Sequence, residues 1–150
     1  MKKLIILMLL IPTLTWGEKL ISLDEYYSKH VNDNDPSVLS YVSSRCSSLY
    51  STISVMVSPK DESLGAKMEQ LGRDFFTYLL MSDFQLRGDE ISIDDLTELH
   101  VELVRNLNDK YVEIGNNEWE NTGSYFSGFL KKDLDFCNQL NSEISAALSN

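Results

Sequence analysis

The sequence has 150 residues, of which 23 are acidic and 13 are Lys or Arg, so its formal net charge is −10. Binding to phosphate backbones or anionic lipid depends on clustered Lys and Arg, so this composition argues against nucleic acid as a partner. Hydrophobic residues make up 43% of the chain, which argues against global disorder.

The first 17 residues have the three parts of a cleavable secretory signal peptide. Two lysines follow Met1, an apolar run covers residues 4–14, and small residues occupy the first and third places of residues 15–17. The apolar run is about 11 residues long, whereas a membrane-spanning helix needs about 20. We therefore expect cleavage after Gly17, a mature chain of residues 18–150 without stable membrane insertion, and a periplasmic or secreted location.

Beyond this segment, capping residues predict one short helix and then a longer one. Ser22 and Glu25 form a capping box that opens a short helix ending near His30. Asp35 is placed as the N-cap of a helix over residues 36–58, which a proline directly after it ends.

Three further helices are predicted from apolar residues spaced three and four apart. They cover residues 59–87, residues 92–115 and residues 126–148. The start of the last helix is left open between Asn117 as a cap and Gly123 as a break. No strand-type alternation occurs, and short connections favour antiparallel neighbours. The expected fold is therefore a single all-α domain, an antiparallel four- or five-helix up-down bundle.

Cys46 and Cys137 are the only cysteines, and both lie on the apolar stripes of their predicted helices. In an up-down bundle, the helices that carry them are antiparallel neighbours. A rise of about 1.5 Å per residue places both sulfur atoms roughly 15 Å from the same end. We therefore predict one structural disulfide, which an exported protein can form.

The predicted helix 36–58 has an unusual face, since Arg45 is its only charged residue and most positions outside its apolar stripe are serines. A solvated helix face normally carries Lys, Glu or Arg. In one interpretation, residues 18–31 fold over this helix and Arg45 pairs with Asp24 or Glu25. In the other, Ser44, Arg45 and Ser48 bind a partner protein or a second copy of the chain, with Arg45 as the polar anchor.

No catalytic, metal or nucleotide motif occurs, so we expect no cofactor, no metal site and no assignable catalytic residue. The first functional hypothesis is an exported, non-enzymatic interaction module of the cell envelope. The second is a periplasmic carrier or chaperone-like binder of apolar ligand, which a groove over residues 75–81 would support. The third is a small enzyme without a recognisable motif, which a cleft holding His100 near acids and a serine would support.

Overall fold

The fold is described from a computed structural model, which covers residues 20–31, 35 and 37–149. The predicted signal peptide therefore lies outside the described residues. Five α-helices follow one another: α1 (Leu23–His30), α2 (Ser37–Val57), α3 (Glu62–Arg87), α4 (Ile93–Thr122) and α5 (Phe129–Leu148). A single 3-10 turn, Gly88–Glu90, joins α3 to α4. The described ranges contain no strand, and the predicted all-α bundle is confirmed.

Helix α2 is the central element, because each of the other four helices packs against it. Ser40 lies against Ser82 and Ser54 against Gly65, so α3 runs antiparallel to α2.

Helix α4 runs in the same direction as α2. Ser48 contacts Val104, and further along both helices the terminal methyl of Met56 on α2 lies beside Gly115 of α4. Residue numbers therefore increase together on the two helices.

Helix α5 returns along α4 in the opposite direction. Tyr111 of α4 contacts Asp133 of α5, and Gly115 contacts Leu130. Residue numbers therefore increase along α4 where they decrease along α5. The resulting order is up-down-up-down. Helix α1 packs on both α2 and α5.

The serine face of α2 lets neighbouring backbones approach closely. The hydroxyls of Ser47 and Ser54 donate to the carbonyl oxygens of Gly72 and Gly65 at 2.9 and 2.8 Å. A Cβ on Gly65 would lie 2.1 Å from the Ser58 hydroxyl, so only glycine fits there. The first interpretation was therefore right that α2 is central, but α3 and α4, rather than the N-terminal segment, cover its serines.

Helix α4 extends well past the predicted stop. Gly115 is buried inside it, facing Met56 and Leu130, and it provides room for packing rather than ending the helix. The helix ends instead at Gly123, whose φ of 71° is the left-handed conformation that glycine adopts at C-caps. Asn117 lies within α4, so the last helix begins only at Phe129.

The two predicted N-caps behave differently. Ser92 caps α4, since its hydroxyl oxygen accepts from the Asp95 backbone N–H at 3.1 Å. Ser22 precedes α1, but its hydroxyl donates to the Asp24 carboxylate at 2.6 Å, and its side chain caps no backbone N–H. The predicted capping box at α1 was therefore wrong.

The predicted disulfide is confirmed. Cys46 of α2 and Cys137 of α5 are bonded, with their Cα atoms 5.6 Å apart, and both are completely buried. The bond therefore fixes α5 to the central helix. Within the part of the chain that the structure describes, no helix combines the length and apolar character that crossing a membrane requires.

Candidate functional site

The three residues predicted to bind a partner are inside the bundle. Ser44, Arg45 and Ser48 are each 0% exposed. The Ser44 hydroxyl donates to the Tyr41 carbonyl oxygen, and the Ser48 hydroxyl donates to the Val104 carbonyl oxygen, both at 2.7 Å. Binding of a partner at these residues therefore stays a prediction that requires the neighbouring helices to move apart.

Arg45 is the centre of a polar cluster, which we call the sealed cluster and which contains the buried Arg45, Tyr111 and Asp133 and the half-buried Tyr41. Its guanidinium donates to the Tyr111 hydroxyl at 2.7 Å, to the Tyr41 hydroxyl at 2.9 Å and to the Asp133 carboxylate. It also donates to the backbone carbonyl of Ile21 at 3.2 Å. Every nitrogen of the guanidinium thus has an acceptor inside the chain.

The acidic partner of Arg45 is not the one predicted. Asp24 and Glu25 lie on the exposed face of α1, where they bond to Ser22 and Lys29. Asp133 of α5 takes their place, because it lies on the buried side of its helix beside Tyr111. The prediction that the N-terminal segment meets Arg45 is right for the backbone, through Ile21, and wrong for the ion pair.

Asp133 also holds the start of α1, accepting from the Leu23 backbone N–H at 2.7 Å and from the Tyr111 hydroxyl at 2.6 Å. Burial raises the pKa of this carboxyl, against the opposing effects of Arg45 and Tyr111. Burial by itself would lower the pKa of Arg45, but Tyr111 and Asp133 outweigh it and raise that pKa above its ordinary value. The sealed cluster therefore joins four segments of chain and leaves no group free for a ligand.

His100 belongs to a second buried cluster. Its Nε2 lies 2.9 Å from the Asp83 carboxylate, whose other oxygen accepts from the Ser40 hydroxyl at 2.8 Å. Nucleophilic catalysis by serine needs the imidazole next to the hydroxyl. Here the carboxylate stands between them, and His100 is only 4% exposed. An acid and a serine therefore lie near His100, as the enzyme hypothesis requires. The serine is buried and does not contact the imidazole, so this arrangement provides no accessible nucleophile.

One accessible feature of the described residues is a groove between α3 and α4, which both pack mainly on α2 rather than on each other. Its volume is about 470 Å³. The floor consists of small residues of α2 and α3, and the walls come from α3 and α4. Its lining residues are Ser47, Ser51, Gly72, Arg73, Phe76, Thr77, Val101, Val104, Arg105 and Asn108.

The charges of this groove differ from those of the whole chain. Acidic residues outnumber Lys and Arg by 23 to 13 in the sequence, yet none lines the groove, which has one arginine on each wall. Arg73 is tied to Glu69 at 2.6 Å. The side chain of Arg105 forms no ion pair or hydrogen bond with any residue that the structure describes. The groove therefore offers an unpaired guanidinium beside apolar walls.

The sequence contained a signal for this groove that was missed. Val101, Arg105, Asn108, Val112 and Trp119 recur at helical spacing along α4 and form a second stripe beside its buried one. The three apolar members of this stripe are 42 to 49% exposed. An exposed apolar stripe that no other described helix covers indicates a face available to a ligand or a partner.

Comparisons of the chain with protein-family models, with curated proteins and with solved structures find no match. The groove is therefore interpreted from its own residues: two apolar walls, a polar floor and two guanidinium groups.

Proposed function

We propose that this protein is an exported, non-enzymatic binding module of the cell envelope, which holds a segment of a partner protein in the groove between α3 and α4. The observation that carries the proposal is Arg105, which has no partner among the described residues and lies beside the exposed apolar side chain of Val101. The clusters around Arg45 and His100, in contrast, are buried, and the Arg45 guanidinium is fully paired, whereas His100 is paired only through its Nε2.

Export is part of the same proposal. The predicted signal peptide would send the chain out of the cytoplasm, and the disulfide between Cys46 and Cys137 suits an oxidising compartment. A periplasmic or secreted location follows from these two features together. It would bring the groove into contact with other proteins of the envelope.

A carrier of apolar ligand is the second candidate, because Phe76 and Thr77 of the 75–81 run do line the groove. Pockets for such ligands are mostly apolar and enclose most of the ligand surface. The floor here is polar, with Ser47 and Ser51, and the groove opens to solvent. A protein segment suits this surface better, since its backbone and polar side chains can hydrogen bond to the floor.

The proposal is tested by site-specific photo-cross-linking in the source organism. A photoreactive amino acid is placed at Val101, which lines the groove, or at Leu103 of the same helix, which does not. Their exposures match, at 42 and 41%. We expect a discrete protein adduct from position 101 and none from position 103.

An adduct of the chain with itself at position 101 would identify the partner as a second copy. Absence of any protein adduct at position 101, or equal adducts at the two positions, would contradict the groove as a protein-binding site. Specific saturable uptake of an apolar dye, blocked by Val101→Trp and not by Leu103→Trp, would favour the carrier instead.

A further inference from the structure

We infer that the segment bound in the groove is an acidic, amphipathic helix of another protein, an inference that rests on the function proposed above. The juxtaposition behind it is an apolar strip on α4 flanked by arginines on both walls, within a chain that is otherwise strongly acidic.

The charged residues that line the groove favour an acidic ligand. Arg105 projects from α4 without a partner among the described residues, and it faces Arg73 of α3, whose guanidinium is already paired with Glu69. Guanidinium binds carboxylate with paired N–H donors, and each such bond is charge-assisted. The chain as a whole has a net charge of −10, which disfavours acidic partners. A groove with two arginines and no acidic lining residue is therefore a local exception that favours a carboxylate ligand.

The apolar strip on α4 has a length and spacing that suit a helix. Val101 and Val112 lie on one face of α4 and are separated by 11 residues, which is about 16 Å along the helix. Phe76 lines the groove together with Val101, from the opposite wall. A partner helix with apolar residues three and four apart can seat them on this strip while its flanking side chains reach the arginines.

The polar floor disfavours a free fatty acid, which also combines a carboxylate with apolar groups. An acyl chain gains free energy by leaving water for an apolar enclosure. The floor under the arginines is formed by Ser47 and Ser51, and Ser51 makes no side-chain hydrogen bond of its own among the described contacts. Such a floor suits the polar atoms of a peptide.

The experiment uses the disulfide-bonded protein and three synthetic peptides of about 14 residues, about 21 Å long as helices. Each has leucines three and four apart, and the intervening positions carry glutamate, glutamine or lysine. Backbone amide NMR titration locates binding. We expect the glutamate peptide to shift the signals of Ser51, Gly72 and Val104 and the other two peptides to leave them in place.

Variants identify the charge contacts. Arg105→Gln should weaken binding of the glutamate peptide about threefold, the scale of one partly exposed ion pair. Lys67→Gln is the matched control, because Lys67 is an exposed cation of α3 outside the groove, and it should leave the affinity unchanged. Raising the salt concentration should weaken binding, because salt screens these contacts.

The results separate the inference from the proposed function. If the glutamine or lysine peptide binds the groove as tightly as the glutamate peptide, or if Arg105→Gln has no effect, the acidic partner is wrong. The same holds if the glutamate peptide fails to bind. A protein cross-linked at Val101 would still support the groove as a protein-binding site. If no protein is cross-linked there, the proposed function is wrong, whichever peptide binds.

Discussion

Arg45 and Arg105, on two sides of α2, differ in burial and in pairing. On one side, Arg45 is completely buried and its guanidinium has partners on α2, α4, α5 and the N-terminal segment. On the other, Arg105 lines an open groove and its side chain has no partner among the described residues. A charge taken out of water must be paired and hydrogen bonded within the protein, whereas a charge left in water remains available.

This difference separates stability from binding. The sealed cluster fixes four segments of chain to one another, so changes there should act on the free energy of unfolding. The groove is formed by α2, α3 and α4 without α1, α5 or the disulfide. Changes there should act on the affinity for a partner. The predictions below test this separation.

The largest effect is expected from removing the disulfide through Cys46→Ala with Cys137→Ala. The bond joins positions 91 residues apart, and the chain-entropy model gives about 4–5 kcal/mol of stabilisation for a loop of that length. Urea unfolding followed by circular dichroism measures the loss. The folded variant should still bind the glutamate peptide. Loss of binding by the folded variant would show that affinity in the groove depends on the disulfide, which would contradict the separation of stability from binding.

A smaller loss is expected from Asp133→Asn, because it leaves the Arg45 charge buried without its counter-charge. Removing one partner of a buried ion pair costs about 3–5 kcal/mol. Asp135→Asn is the matched control, since Asp135 is 61% exposed and pairs with Lys131 at the surface, where such pairs contribute about 1 kcal/mol or less. Equal losses from the two variants would show that the cluster is not sealed.

Local patterns in the sequence predicted much of this fold, and the errors have physical causes. Ser92, the apolar spacing and the two cysteines gave helices and a disulfide, because caps and stripes act within a few residues. Asp133 was missed as the partner of Arg45 because pairing of side chains across helices depends on how far each helix is rotated and shifted. Gly115 was misread for a related reason, since a glycine used for packing looks like a helix stop.

The candidate site was predicted less well than the fold. Ser44 and Ser48 were chosen because their face lacks charge, but an uncharged face of small residues is also what a central helix needs. The stripe containing Val101 and Arg105 on α4 was visible at helical spacing. Which stripe stays uncovered is decided by the tertiary arrangement, where α3 and α4 pack on α2 and leave a gap between them.

Two glycine substitutions compare the close approach of α3 to α2, at Gly65, with the looser packing around Gly115 of α4. Within a helix, Gly→Ala ordinarily stabilises by about 1 kcal/mol. At Gly65 the new Cβ would lie 2.1 Å from the Ser58 hydroxyl and 2.9 Å from its Cα, so we expect a loss of about 1–3 kcal/mol from overpacking. At Gly115 the nearest atom is the flexible end of Met56, at 3.3 Å. Gly115→Ala should therefore be neutral or stabilising, and thermal unfolding compares the two variants.

The smallest effect on stability is expected from Arg105→Gln, which should change the free energy of unfolding by no more than about 0.5 kcal/mol, as for most surface substitutions. The same substitution at Arg45 removes the counter-charge of Asp133 and should cost about 3 kcal/mol or more. Urea unfolding of both variants, beside the peptide titration for Arg105→Gln, compares one chemical change on the two sides of α2. If Arg105→Gln lowers stability as much as affinity, then its guanidinium has a structural partner and the groove is not a free surface. If only the affinity falls, the unpaired arginine is a binding group.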